Sequence, residues 1–132
     1  ELFLLTGEND LGNGCRALQQ HGPVAVVVTL GPKGAYCSAP ACEAFLPTYD
    51  VPVVDTTGAG DAFWGALLWK LHAEYGCAAR KDIAALTQAQ WRVAMKFANA
   101  AGSLTTTKKG AIPAMPSKEE IDSCVRQKSG TC

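Results

Sequence analysis

The residues of this chain best suited to chemistry stand at 55–61, Asp-Thr-Thr-Gly-Ala-Gly-Asp, directly ahead of the apolar run AFWGALLWKL. Small residues at Gly58, Ala59 and Gly60 let the backbone approach a ligand closely, because no bulky side chain shields its amides. At the start of a helix such amides are unpaired, and together with the helix dipole they attract an anion. Asp61, in the first turn, suits a bound phosphate poorly on its own, since the two repel. With an acceptor hydroxyl between them the pairing makes sense. Asp61 then takes the hydroxyl proton while the amides hold a phosphoryl group in transfer. The structural alternative is a plain turn, because Gly-x-Gly is common in turns and Asp caps helices well. The loop lacks the Lys-Ser/Thr of a P-loop, and Phe63 stands where the third glycine of G-x-G-x-x-G belongs. Spacing alone therefore leaves an anion site and a well-made turn both open.

The elements that must position this loop alternate between strand and helix, which predicts an α/β layered domain. Residues 1–5 read as a short helical segment closed by Thr6-Gly7. Asn9 or Asp10 can cap a helix running to about Gln20, ended by Gly22-Pro23. VAVVVTL (24–30) is a continuous β-branched run, the pattern of a strand buried on both faces. AYCSA and EAFLPTYDVPVV suggest further strands or an antiparallel edge, with Pro47 and Pro52 favouring irregular pairing. Helices are predicted from Asp61 to Tyr75, stopping at Gly76, and from Thr87 to Leu104. A polar loop, 105–116, precedes a Ser-x-x-Glu capping box at Ser117 and Glu120. Trp64, Trp69 and Trp91 are read as core residues, and Gly65 as a point of close helix packing.

The 132 residues suit one domain, and no repeat or low-complexity linker divides them. Twelve basic and twelve acidic residues cancel, which removes any electrostatic case for nucleic acid or an anionic membrane. No apolar run approaches the roughly 20 residues of a membrane span. The cysteines at 15, 37, 42, 77, 124 and 132 form no C-x-x-C, and two histidines offer no ligand-like spacing. Reduced, mostly buried thiols and a cytoplasmic setting are the expectation. The chain opens at ELFLL, without methionine and within a helical pattern, so it is expected to be a piece of something longer.

VVDTTGAGDAFWGALL closely resembles the second signature of the PfkB-type carbohydrate kinases, the ribokinase-like family. Three further stretches agree in order and spacing: ELFLLTG (1–7), VTLGPKGAY (28–36) and FANAAGSLTTTKKGAIPAMP (97–116). Within the family, the last of these resembles fructokinases most. The resemblance spans essentially the whole chain and implies the C-terminal part of a three-layer α/β/α fold with a mostly parallel sheet. It implies a single nucleotide-binding and catalytic-base portion over 1–132, with the N-terminal sugar-binding and lid part absent.

Position by position, the resemblance makes Asp61 the general base for a sugar hydroxyl and Gly58, Ala59 and Gly60 the anion hole. Thr29, Gly31 and Gly34 would line the ATP site, with Asn99 near the purine. Asp55 and the Thr57 carbonyl would bind a monovalent cation, potassium, with carbonyls of Thr105, Lys108 and Gly110 completing the shell. Glu1 would help position magnesium through water. Taken by themselves, Thr29 could end a strand, Asn99 could bond within a helix, and Lys108-Lys109 could be a solvated pair. Ala114 stands where ribokinases can offer a serine hydroxyl, which implies a cation shell one ligand short or completed by water. The implied reaction is ATP-dependent phosphorylation of fructose to fructose 6-phosphate. The alternatives are another small acceptor (2-keto-3-deoxygluconate, ribose or a nucleoside) or a non-catalytic nucleotide-binding fragment. Such a fragment would pair with its missing N-terminal half or with a second copy of itself.

Overall fold

The computed structural model describes residues 1–129. Helix α1 (Leu2–Thr6) stops at Gly7, whose φ of 74° lets its N–H turn back to Phe3 O at 2.7 Å. Helix α2 (Leu11–Gln19) starts at Asp10, whose carboxylate accepts the Asn13 N–H at 2.9 Å. Strands β1 (Val26–Thr29), β2 (Ala35–Ala39) and β3 (Cys42–Leu46) follow as a meander, paired antiparallel in the order β1-β2-β3. Among the described residues every strand pair is antiparallel, which is the antiparallel-edge option that the short hairpin-spaced runs had left open.

Alternation places Ala35, Cys37, Cys42, Ala44 and Leu46 on one face of the sheet, packed against Trp91, Ala94, Met95 and Ala98. Tyr36, Ser38 and Glu43 lie on the other face, where α2 meets them through Arg16 and Gln19. The local order is thus helix, sheet, helix. Strand β1 departs from expectation, because Val26, Val27 and Val28 are only half-buried rather than sealed on both faces. It is the outer strand of this sheet, and an outer strand has neighbours on one side only.

Beyond Leu46 the chain leaves the sheet, although EAFLPTYDVPVV had suggested more strand. Pro47 and Pro52 carry no N–H for a ladder, and residues 47–58 run as an irregular strap over the helices. Helix α3 (Ala59–Trp69) then passes into a π-helical turn, Lys70–Glu74, that ends at Gly76. In that turn Lys70 is buried. Its ammonium pairs with Glu74 at 2.6 Å and lies 4.6 Å from the centre of the Phe97 ring. A short helix, α4 (Arg80–Ala84), had no counterpart in the sequence reading; Asp82 anchors it by accepting the N–H groups of Ala78 and Ala79.

Helix α5 (Gln88–Thr105) is nucleated by a capping box in which Thr87 and Gln90 exchange hydrogen bonds at 2.9 and 3.1 Å. Helix α6 (Lys118–Ser129) opens with the box expected at Ser117 and Glu120, with bonds of 2.7 and 3.2 Å. The second half of α5, from Phe97 to Thr106, is buried or half-buried all round. Its composition explains this, because a run of Ala, Gly, Ser and Thr lets neighbours approach from every side. Phe97, Ala100 and Ala101 pack on α6, while Gly102 faces α3.

Two packing expectations are corrected here. Gly65 is exposed and meets nothing, so it does not mediate helix packing. Gly102 does so instead: a Cβ there would lie 3.2 Å from Ala59 O and 3.7 Å from Phe63 Cβ. Trp91 is core at 1% exposure, but Trp64 and Trp69 are each 40% exposed. Both lie on the outer side of α3, and Trp69 spends one ring face on stacking with Phe97. Cys15, Cys37, Cys42, Cys77 and Cys124 are free and buried, as expected. Cys132 lies outside the described residues. No helix among these residues is long and apolar enough to cross a membrane.

Candidate active site

A cleft of about 760 Å³ opens where three distant stretches converge. The β1–β2 turn contributes Thr29, Gly31 and Gly34, the first turn of α3 contributes Ala59, Gly60 and Phe63, and α5 contributes Asn99, Gly102 and Ser103. The strap forms a further wall with Thr48, Tyr49 and Asp50. All four residues assigned to nucleotide binding, Thr29, Gly31, Gly34 and Asn99, thus share one cavity with two of the three anion-loop residues.

Local sterics explain the glycines. Gly34 has φ 126°, and a Cβ there would fall 2.1 Å from Leu46 O, so only glycine lets the turn close against the end of β3. Gly58 is the N-cap of α3 with φ 79°, and its absent Cβ would sit 2.8 Å from Ala111 Cβ. The loop is thereby pressed against the segment that follows α5. At Gly60 nothing lies within 4 Å of the Cβ position. Of the expected amides, that of Ala59 is turned back onto Thr56 O at 3.3 Å. The open donors of this helix start therefore centre on Gly60 and the residue after it.

Asp61 is exposed in the first turn of α3, as the loop chemistry requires. Asp61 borders a second, smaller depression of about 260 Å³, shared with Trp69, Met115 and Lys118, and does not line the large cleft. The first turn of α3 stands between the two concavities, with Ala59 and Gly60 lining one and Asp61 the other.

Beside this turn, Asp55 accepts the Thr57 N–H at 2.9 Å and the Thr57 hydroxyl at 2.7 Å on one oxygen, and the Gly110 N–H at 3.0 Å on the other. The Gly110 amide foremost, then the Thr57 hydroxyl and amide, hold its carboxyl down at about 2. Asp55, Thr57 and Gly110 are therefore brought together. Thr105 is fully buried, and its hydroxyl donates to Ala101 O at 2.8 Å. Lys108 is exposed, with its ammonium 3.8 Å from Glu120. Ala114, where the missing serine hydroxyl would stand, is buried in a 3₁₀ turn. Glu1 is not brought to the site. It is exposed at the start of α1, which rests on α2 through Leu2 and Gly14, and it does not line the cleft.

The sequence reading missed three α5 contacts. Asn99 donates through Nδ2 to Leu46 O and Pro47 O, both at 3.1 Å, rather than bonding within its own helix. Ser103 Oγ accepts the Tyr49 N–H at 3.2 Å. The Thr106 carbonyl accepts the N–H groups of Val54 at 2.7 Å and Asp55 at 3.1 Å. A readable signal existed in Asn and Ser four residues apart within an otherwise apolar helical run.

The family model for pfkB family carbohydrate kinases matches residues 1–118. Among curated relatives, "Probable fructokinase-4" of Arabidopsis thaliana is 38% identical over 96% of this chain and 37% of its own length. Fructokinase-1 of Zea mays is 44% identical over 73% of this chain and 28% of its own. The chain thus spans roughly a third of the length of these relatives. A fructokinase from Vibrio cholerae, solved with fructose, ADP and a calcium ion, superposes with a TM-score of 0.76 at 38% identity, over 95% of this chain and 38% of the other. A ribokinase from Thermotoga maritima also gives 0.76, at 26% identity over 96% and 39%. The described elements therefore take the ribokinase fold.

Proposed function

The chain belongs to the pfkB family of carbohydrate kinases, and on that premise we propose that it carries the nucleotide side and the base of a sugar kinase acting on fructose. The observation carrying this reading is the convergence of Thr29, Gly31, Gly34, Asn99, Ala59 and Gly60 on one cleft, with Asp61 on the next residue of the same helical turn. Fructose is favoured as acceptor because the curated relatives described above, at 38% and 44% identity, bear the name fructokinase.

In the proposed reaction ATP lies in the cleft, with its γ-phosphoryl toward the start of α3. Asp61 accepts the proton of the sugar's primary hydroxyl, a new O–P bond forms, and the bond from the γ-phosphorus to the β–γ bridging oxygen breaks. The Gly60 amide, with those of Gly58 and Ala59 as the loop adjusts, stabilises the charge on the transferring group. Gly60 suits this role because no protein atom crowds it.

Two ions accompany the reading. Asp55, anionic across the physiological range, draws in Thr57 and Gly110 through their N–H groups, and carbonyls of Thr57, Thr105, Lys108 and Gly110 would complete with it a hard oxygen shell for a monovalent cation, potassium. When bound, that cation supplies positive charge beside the loop. Magnesium fits differently. No group of three or more His, Cys, Asp or Glu side chains among the described residues could hold a metal. Magnesium would therefore arrive on the nucleotide phosphates, with Glu1 at most an outer contributor.

The test is ATP-dependent phosphorylation of fructose by this chain alone and after addition of the N-terminal remainder of a fructokinase relative. Inactivity alone and turnover in the mixture are expected. In the mixture Asp61→Asn should lower turnover by about 10²–10⁴-fold with ATP affinity retained; near-normal turnover refutes the base assignment. A second reading, nucleotide binding without catalysis by the isolated chain, is favoured by the position of Asp61 outside the large cleft and by the distance of Glu1 from it. Turnover of fructose by the chain unaided overturns that reading. Preference for ribose, a nucleoside or 2-keto-3-deoxygluconate in the same assay would reassign the acceptor, an outcome the ribokinase likeness makes worth including.

A further inference from the structure

The strap that follows β3 from residue 47 forms a wall of the large cleft, yet it has no strand beside it, so its backbone groups must find partners elsewhere. They find them mainly on α5 and α6. Leu46 O and Pro47 O accept from Asn99 Nδ2, Tyr49 N–H donates to Ser103 Oγ, and Val54 and Asp55 donate to the Thr106 carbonyl. Lys128 adds a bond to Asp50 O at 2.9 Å, from α6. Positions 99, 103 and 106 are spaced by four and three residues and so lie along one face of the helix. Asn99 and Ser103 are themselves buried.

From this we infer that Asn99 and Ser103 are positioning residues for the nucleotide wall, and that Asn99 acts by holding the strap rather than by donating to the purine. The hydrogen-bond inventory carries the second half of that statement. An asparagine amide has two N–H protons, and Asn99 directs Nδ2 at two carbonyls, which leaves it no donor for a ligand. The orientation is forced, because the flipped amide would set its oxygen against Leu46 O and Pro47 O. Ser103 Oγ spends one lone pair on the Tyr49 amide, and Tyr49 is part of the cleft wall. The same turn of α5 includes Gly102, whose missing side chain leaves room for Ala59 O, 3.2 Å from where a Cβ would stand. One stretch of helix thereby sets both the wall and the anion loop. This rests on the reading of the cleft as the ATP site.

The experiment measures ATP affinity by titration calorimetry on the full chain, with amide exchange followed at Tyr49. Ser103→Ala should weaken ATP about tenfold, the equivalent of one buried hydrogen bond, and speed exchange at Tyr49. The helical circular dichroism and melting temperature should change little, and Ser103→Thr should restore both affinity and protection. Asn99→Asp, nearly identical in shape but without donors, should weaken ATP at least as much. Failure of the wild-type chain to bind ATP overturns the reading of the cleft and this role with it. Wild-type ATP binding together with unchanged affinity in Ser103→Ala and Asn99→Asp overturns the positioning role alone. An Asn99→Asp loss reproduced for ATP but absent for inorganic triphosphate would mean a purine contact, and would overturn the account given for Asn99.

Discussion

Two glycines in the site, Gly34 and Gly60, differ in what a methyl group would do, and that difference separates folding from binding. At Gly34 an alanine would meet backbone at 2.1 Å in a conformation essentially reserved for glycine. Strain and overpacking together should cost about 3 kcal/mol or more, visible as a lowered denaturant midpoint. Gly60→Ala is the opposite case, a helix position with open space around it. It should leave stability unchanged or raise it by about 0.5–1 kcal/mol while weakening ATP, because the methyl enters ligand space. If Gly60→Ala binds ATP as the wild type does, the Gly60 amide is not at the phosphates. Asp55 makes a prediction in pH. Its carboxyl titrates lower in the folded chain than in the unfolded one, so its contribution is complete above the unfolded value. That contribution fades as pH falls from about 5 toward 2. Thermal melts should show Asp55→Asn less stable than wild type near neutrality, with the gap closing as the pH approaches 2.

Among the elements, α5 has the most to lose from small changes, and the losses differ along its length. Thr87→Ala removes half of its capping box and should cost about 1 kcal/mol without touching the cleft. Gly102→Val should cost more and also shift α3, since its branches would press on Ala59 O and Phe63; a joint loss of stability and ATP affinity is the expected signature. Gly65→Ala, on an exposed helical face, should be neutral or mildly stabilising. These contrasts also show what could be read beforehand. Helix starts were legible because caps are local: Asp10 and Ser117 announce α2 and α6 within four residues. The strap was not, because its partners sit some fifty residues or more downstream and are side chains and a helix-end carbonyl, which no strand pattern encodes. Gly65 and Gly102 look alike in sequence, and only the path of α3 over α5 decides which one a neighbour needs.

For the molecule as a whole, the helix start behind the glycine loop and the place of Asp61 in its first turn were legible in the sequence. The separation of Asp61 from the large cleft was not, since it depends on which way a single helical turn faces. The half-buried β1, the exposed side of α3 at Trp64 and Leu68, and α1 with Phe3, Leu4 and Leu5 together leave a broad apolar exterior. Relatives that share this portion are nearly three times as long, and their additional chain is what we expect to cover such a surface. One last property follows from the five buried thiols. Because all five are buried in the folded chain, none more than 8% exposed, an aromatic disulfide reagent attacks them mainly when the structure opens. With Cys132 replaced by serine, the rate of colour release becomes a clock for those excursions. Adding ATP should slow that clock in proportion to the ligand bound.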